Sequence, residues 1–303
     1  MNITGTTKLL GIIGDPIEHT ISPAMQNAAI KANLLNWAYV PFHVKPQDLK
    51  TAVNVIKAFD MIGVNVTIPH KEKVIKLLDE VEDTARLIGA VNTVLNVDGR
   101  LIGYNTDGFG YIDSLKEETD FDSRGKNIVL LGAGGAARSI LFSFLFKSSR
   151  GMPASIVIAN RTVERAKKLV SEFKKKLKNL PPIKAVGMDA AAAHLENADI
   201  LINTTSLGLM GKGQISLPLK KLPEYAIVSD IVYRPLETKF LKSAKALGLK
   251  THGGLGMLAH QGALSFEIWT LSMFPRPPVP LDIMKNAALL AMGSVGPSEA
   301  VEE

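Results

Sequence analysis

The residues best placed for chemistry are a lysine and an aspartate set among short polar side chains. Lys71 closes the run Asn65-Val66-Thr67-Ile68-Pro69-His70-Lys71, and Asp107 lies in Asn105-Thr106-Asp107-Gly108. A lysine at the start of a helix feels positive potential. That favours its neutral form and brings it toward proton transfer near neutral pH. The alternative is a solvated surface lysine. A loop carrying Asn and Asp at a junction between two parts of the chain suits ligand contacts. Thr20 and Ser22 stand two apart before Pro23, where Ser22 reads either as a helix cap or as a ligand hydroxyl. Along a strand of period two, Asn65 and Thr67 share one face, which either lines a polar cleft or is half-exposed. Asn92 interrupts the apolar run from Ala90 to Val97.

A second signal is Gly132-Ala133-Gly134-Gly135-Ala136-Ala137, placed after a strand and opening a helix. Gly132 permits the tight turn, Gly134 lets backbone approach a pyrophosphate, and Ala137 allows close helix–strand packing. The helix N-terminus adds N–H donors and partial positive charge. At the end of the next strand an NAD binder usually carries an acid. Here the sequence is Asn160-Arg161-Thr162, with Arg165 a turn later. An arginine near a helix start is poorly placed for the helix dipole, so it points to an anionic partner. A guanidinium can grip a ribose 2′-phosphate, so NADP is expected over NAD.

These residues need a scaffold, and the pattern supplies one of α/β class. Strands are expected at Lys8–Ile13, Trp37–Val44, Gly63–Ile68, Ala90–Val97 and Leu101–Tyr104, the last two joined by an Asp98-Gly99 hairpin turn. Helices are expected at Pro23–Asn33, Pro46–Phe59 and Lys71–Leu78. A second unit follows Asp107. Its strands are Asn127–Leu131, Ser155–Ala159, Ile183–Val186, Asp199–Asn203 and Ala226–Asp230, and its helices include one from Gly135 to about Lys147. That alternation implies a parallel sheet covered on both faces. Helices at about Gly256–Ser272 and Pro280–Met292 and a frayed tail from Gly293 to Glu303 complete the chain.

Composition narrows the function. The 303 residues include no cysteine, which removes disulfides, thiolate metal sites and a cysteine nucleophile. Six histidines without a cluster argue against a transition-metal site. Hydrophobic residues make up 46% and charged residues 21%, a balance that buries a core rather than staying disordered. No apolar run approaches the ~20 residues of a membrane span. No signal peptide is read at the N-terminus, so a cytoplasmic protein is expected. The net charge of +6 suits nucleic acid or small anions alike. The run Lys174-Lys175-Lys176 with Lys178 lacks interleaved aromatics and reads as a solvated helix face.

Taken together, Ile13-Gly14-Asp15-Pro16, His19-Thr20-Ile21-Ser22-Pro23, Asn65 to Lys71, Gly89-Ala90-Val91-Asn92-Thr93, Asn105 to Gly108, Gly132 to Ala137, Asn160-Arg161-Thr162, Asn203-Thr204-Thr205-Ser206 and Gly256-Met257-Leu258 with Gln261 resemble the shikimate dehydrogenase family over nearly the whole chain. The resemblance implies reversible NADP-linked reduction of 3-dehydroshikimate to shikimate in aromatic amino-acid biosynthesis. It implies a substrate domain of residues 1–107 completed by 255–303, and a Rossmann-like NADP domain of residues 108–254, with a cleft between them. It implies Lys71 and Asp107 as the catalytic pair, with Thr20, Ser22, Asn65, Thr67, Asn92, Tyr233 and Gln261 on the substrate. Thr20 stands where the family more often has serine; it keeps the hydroxyl and adds a methyl. Cofactor positions implied are Gly132, Ala133, Gly134, Gly135, Ala136, Asn160, Arg161, Thr162, Arg165, Thr204, Ser206 and Gly254. Lys71 would give a proton to the ketone oxygen in reduction, oriented by Asp107, which also favours the charged lysine. The partners expected are small molecules, with no nucleic acid, membrane or metal, and the chain a monomer or homodimer. Competing readings are a quinate/shikimate dehydrogenase, a non-catalytic NADP sensor and a basic nucleic-acid binder.

Overall fold

The structure, a computed structural model, describes residues 3–146 and 151–293. The expected tail beyond Gly293, and the last residue of the helix expected to reach Lys147, lie outside these. The chain divides into two compact units. One holds the chain up to Ala85, Ala90–Thr106 and the residues from Gly262; the other holds Arg86–Gly89 and Asp107–Gln261.

The first unit opens with β1 (Lys8–Gly14), α1 (Ser22–Ala32), β2 (Trp37–His43), α2 (Leu49–Ala58) and β3 (Gly63–Val66). It continues with β4 (Glu80–Val81), α3 (Asp83–Ile88), β5 (Thr93–Val97) and β6 (Arg100–Tyr104). Its six-stranded sheet runs β2-β1-β3-β5-β6-β4. The β1 strand is parallel to β2 and β3, while β5 is antiparallel to β3 and β6. The Asp98-Gly99 turn forms as expected, both residues at positive φ (49° and 84°), the twist that suits a two-residue hairpin. On α2, Leu49, Val53 and Ile56 share one buried stripe, which packs with Ile13, Val64, Val94 and Leu101.

The expected helix at Lys71–Leu78 is not there. Only Val74–Leu77 winds, as a 3₁₀ turn, and Lys71 lies in the turn before it. The reason is local: the Lys71 carbonyl accepts from the Val91 N–H at 2.8 Å, so it is taken up by a neighbouring segment rather than by a helical bond. The helix-dipole argument for a neutral Lys71 therefore loses its helix.

The second unit begins with α4 (Asp107–Thr119), then β7 (Asn127–Leu131), α5 (Gly135–Phe146), β8 (Ser155–Asn160), α6 (Val163–Lys176), β9 (Ile183–Gly187), β10 (Ile200–Asn203) and β11 (Ile227–Asp230). It ends with α7 (Lys239–Lys245), β12 (Lys250–His252) and the helix α8 (Gly254–Trp269), whose residues from Gly262 count with the first unit. A last helix, α9 (Leu281–Gly293), packs on α1 in the first unit. The second sheet is parallel throughout, in order β12-β11-β10-β7-β8-β9. That is the doubly wound order of the Rossmann type, with its reversal between β7 and β10.

The Asn105–Gly108 stretch is a loop only in part. Asp107 and Gly108 are the first two residues of α4. Two glycines early in a helix lower its propensity, which hid it in the sequence. They are needed for packing: a Cβ on Gly108 would fall 2.1 Å from the Ser139 carbonyl oxygen of α5, and one on Gly110 2.5 Å from the Gln261 nitrogen of α8. The lysine run on α6 is exposed as expected, and one member is used: Lys176 Nζ donates to the Arg86 and Leu87 carbonyls at 3.1 and 2.9 Å, satisfying the end of α3.

A buried polar chain ties α4 to the sheet. The Tyr111 hydroxyl donates to Ser229 Oγ at 2.9 Å, Ser229 Oγ lies 2.9 Å from His252 Nδ1, and His252 Nε2 lies 2.8 Å from Ser114 Oγ. Burial lowers the His252 imidazole from 6.5 to about 4, with His260 adding in the same direction. The folded protein thus holds this ring neutral while the unfolded chain protonates it. The stability it confers is complete above pH 6.5 and is lost as pH falls to about 4. The total is about 3 kcal/mol. Urea unfolding between pH 7 and 4 should show that fall, and His252→Gln should remove most of its slope; an unchanged slope would count against the assignment.

Candidate active site

In the first unit the expected polar residues gather around the ends of β1 and β3. The Thr67 N–H donates to the Ile13 carbonyl at 2.9 Å, and the chain leaving β1 passes so close that a Cβ on Gly14 would fall 2.4 Å from Thr67 Cγ2. Thr20 Oγ1 accepts from the Ser22 N–H at 3.3 Å, at the entry to α1. Ser22 is not the cap of that helix: it is the first helical residue, buried, behind Ile21, which makes no side-chain capping bond. The cap reading of Ser22 is therefore set aside.

Asn65 is buried, so its strand is not half-exposed, and its amide sits in a network of short polar groups. The Tyr39 hydroxyl donates to Asn65 Oδ1 at 2.7 Å. Asn65 Nδ2 reaches the Asn92 carbonyl at 3.0 Å, Thr93 Oγ1 at 3.2 Å and Ser265 Oγ at 3.0 Å. Asn92 locks onto Thr106 twice: its Nδ2 donates to Thr106 Oγ1 at 2.8 Å and its Oδ1 accepts from the Thr106 N–H at 2.9 Å. Just beyond, His70 is fully buried with Nε2 2.6 Å from the Val44 carbonyl, which pins the turn that presents Lys71. Tyr39, His70, Thr106 and Ser265 were not singled out from sequence. Ser265 carried a signal, being a polar residue inside the apolar stretch of α8.

In the second unit Asp107 is buried at the N-terminal end of α4. Gln261 Nε2 donates to the Leu258 carbonyl at 2.7 Å. Tyr233 follows β11, where burial raises its phenol above the usual value and Arg234 opposes that weakly. Lys71, Thr20, Ser22, Asn65, Thr67 and Asn92 belong to the first unit; Asp107, Tyr233 and Gln261 belong to the second.

The strand–glycine–helix segment forms at the reversal of the second sheet. Gly132 has φ +115°, and a Cβ there would fall 2.5 Å from Thr204 Oγ1, so only glycine fits. Nothing lies within 4 Å of a Cβ placed on Gly134, which leaves room for a ligand against its backbone. Ala133, Gly135 and Ala136 are partly exposed around it, and Ala137 is buried against the sheet. Thr204 follows the adjacent strand, its N–H and Oγ1 reaching the Leu131 carbonyl at 2.8 and 2.7 Å, and Ser206 is exposed in the loop beyond. At the end of β8, Asn160 Nδ2 donates to the Thr162 carbonyl at 2.8 Å, fixing the entry to α6. Arg161 and Arg165 are exposed there, and among the described residues no carboxylate pairs with either. Unpaired guanidinium groups beside an open glycine turn fit a dinucleotide carrying an extra phosphate. Gly254 has a separate reason to be glycine: a Cβ would fall 2.2 Å from the Ile231 carbonyl oxygen.

A two-unit α/β chain with a buried polar network in one unit and a dinucleotide turn in the other has the makeup of a nicotinamide-dependent oxidoreductase. Family models place it further: the shikimate dehydrogenase substrate binding domain matches residues 12–94, shikimate / quinate 5-dehydrogenase residues 114–233, and the shikimate 5′-dehydrogenase C-terminal domain residues 254–275. The chain is 45% identical to the shikimate dehydrogenase (NADP(+)) of Methanocaldococcus jannaschii over 95% of its own length and 98% of that protein's. A crystal structure of a shikimate dehydrogenase in complex with NADP+ superposes with a TM-score of 0.84 at 43% identity, covering 96% of this chain and 98% of that one. The Thermus thermophilus enzyme, in complex with NADP(H) and shikimate, gives 0.79 at 36% identity, covering 94% and 99%. The chain belongs to the shikimate dehydrogenase family.

The hydroxyl of Tyr39 is the buried donor that fixes the Asn65 amide, and burial holds its phenol well above the usual value, so it stays a donor. Tyr39→Phe keeps the ring against Trp269 (centroids 5.9 Å apart) but leaves Asn65 Oδ1 without that partner. A loss of about 1–3 kcal/mol is expected, read as a lower urea midpoint at unchanged m. A midpoint equal to wild type would show that the bond is not needed.

Proposed function

We propose that this chain catalyses the reversible NADP-linked reduction of 3-dehydroshikimate to shikimate, a step of aromatic amino-acid biosynthesis. The observation that carries the reading is the family match along the length of the chain, which includes a relative whose structure contains both NADP(H) and shikimate. In this reading residues 1–107 and 255–303 form the substrate domain and 108–254 the cofactor domain. The enzyme works on small molecules as a monomer or homodimer.

The cofactor residues assigned are Gly132, Ala133, Gly134, Gly135 and Ala136 for the pyrophosphate, with Thr204, Ser206 and Gly254 nearby and Asn160, Arg161, Thr162 and Arg165 for the phosphorylated ribose. The unpaired state of Arg161 and Arg165 supports the choice of NADP. When bound, the reduced nicotinamide supplies the hydride.

The chain's own residues bind the ring and manage its proton. The hydroxyls of Thr20 and Ser22 suit the ring carboxylate. Asn65 is held on its carbonyl oxygen by Tyr39 and on its amide nitrogen by Asn92, Thr93 and Ser265, so it meets the ring in one fixed orientation. Thr67, Asn92, Gln261 and Tyr233 complete the polar set around the ring hydroxyls. Lys71 Nζ is the group assigned to the ketone oxygen: it stabilises the charge that builds there and gives its proton, and it takes that proton back in oxidation. Asp107 holds a ring hydroxyl and orients Lys71.

Initial rates with shikimate, followed by absorbance of the reduced nicotinamide, test the reading directly. Fast turnover with NADP+ and little with NAD+ is expected. Comparable rates with NAD+ would point to a quinate/shikimate enzyme, and no turnover in protein that binds NADP+ would reject the substrate. Lys71→Ala should lower kcat by about 10²–10⁴-fold while shikimate still binds; near-normal kcat would remove Lys71 from the chemistry. Arg161→Asp should raise the KM for NADP+ more than that for NAD+, and an equal loss for both would undo its assignment to the 2′-phosphate.

A further inference from the structure

We propose that Asn203 and Asp230 act as a positioning pair that sets the two loops past β10 and β11 in the shape the dinucleotide requires. The inference rests on the reading of the second unit as an NADP site and names residues that touch neither ligand in that reading.

The two residues are the last of their strands and face each other in register, both 0% exposed. Asn203 Nδ2 donates to Asp230 Oδ1 at 2.8 Å. The other contacts of each side chain fold its own loop back. Asn203 Oδ1 accepts from the Thr205 N–H at 2.9 Å and from Thr205 Oγ1 at 2.7 Å, and its Nδ2 also reaches the Leu207 carbonyl at 3.2 Å. One amide thus clasps both arms of the loop that carries Thr204 and Ser206. Asp230 does the same beyond β11: Oδ1 accepts from the Val232 N–H at 3.1 Å and Oδ2 from Thr238 Oγ1 at 2.7 Å. Tyr233 lies within that span. Thr238 in turn caps α7 by accepting from the Leu241 N–H at 3.3 Å, and the two loops meet where the Met210 N–H donates to the Arg234 carbonyl at 2.7 Å.

An uncharged core would have been simpler, since a buried carboxylate is costly to desolvate. Burial does raise the Asp230 carboxyl above its usual value, while Thr238, Val232 and Asn203 all pull it back. Each of these three partners belongs to a loop or strand end at the cofactor edge. The titratable neighbour that senses Asp230 is the buried Tyr111 phenol, itself raised and neutral. The pair therefore commits a buried charge to backbone shape, and the shape it fixes is that of the loop assigned to the cofactor, with Thr204 and Ser206, and of the loop that meets it, with Tyr233.

The test is NADP+ binding to the full chain by calorimetry, which needs no turnover. Asn203→Asp turns the amide–carboxylate contact into two facing carboxylates, one of which must take up a proton as pH falls. Relative to wild type at the same pH, the variant should bind NADP+ about tenfold more weakly at pH 8.5 and recover to within about threefold at pH 6. A ratio within twofold at pH 8.5, or a loss that does not shrink by pH 6, overturns the inference. A second variant, Thr205→Val, leaves both members in place and removes, from a half-buried position, the 2.7 Å bond to the amide and the 3.2 Å bond accepted from the Leu207 N–H of the same loop. It should weaken NADP+ about threefold with an unchanged thermal midpoint, and unchanged affinity overturns the inference even if Asn203→Asp fails to fold. Wild-type protein that does not bind NADP+ would overturn the proposed function and this inference with it; wild type that binds, with variants that bind equally, overturns this inference alone.

Discussion

The second unit is organised by the parting of two parallel strands. Beyond Leu131 of β7 and Asn203 of β10 the chain turns away on opposite sides, and a parallel sheet whose order reverses has a crevice there and nowhere else along its edge. The Leu131 carbonyl would be left bare at that point, and Thr204 covers it with both its N–H and its hydroxyl. The hydroxyl occupies the space a side chain at 132 would need, so Gly132 follows from the strand topology as well as from any ligand. The open backbone at Gly134, the start of α5 and the entry to α6 with its two unpaired arginines are all arranged around the same edge.

The first unit solves a different problem, the placing of several uncharged polar groups where water is excluded. Asn65, Asn92, Thr93, Thr106 and Ser265 are each nearly or fully buried, and each would carry a desolvation penalty if left unpaired. They are paired with one another across β3, β5 and the chain after β6, with Tyr39 closing one side. Such a network is rigid because every member constrains its neighbour's rotamer and donor direction. Such rigidity fixes which face of each amide and hydroxyl donates and which accepts.

Much of this was legible in the sequence, for identifiable reasons. Strands such as Asn127–Leu131 and the glycine turn after it announce themselves through apolar runs and local conformational demands. The Asp98-Gly99 hairpin did so through turn chemistry alone. Elements whose shape is imposed from elsewhere were hidden. The start of α4 looked like a loop because its glycines serve α5 and α8, far away in sequence. Lys71 looked like a helix start because the competing bond comes from Val91. The candidate site divides the same way. Asn65, Ser22 and Arg161 could be picked out by type and spacing, while Tyr39 and Ser265 acquire meaning only through partners 26 and 200 residues from them, both being Asn65.

The last helices also impose an order in time. The first unit holds its core together with residues made after the whole second sheet: Ser265 bonds Asn65, Trp269 Nε1 donates to the Val94 carbonyl at 3.0 Å, and α9 covers α1. The second unit, Arg86–Gly89 apart, is one continuous stretch from Asp107 to Gln261. A ribosome therefore releases everything the second sheet needs before it releases the residues that close the first. Until then the strands that emerged earliest wait with part of their apolar and polar surface uncovered, the interval in which a nascent chain relies most on chaperones.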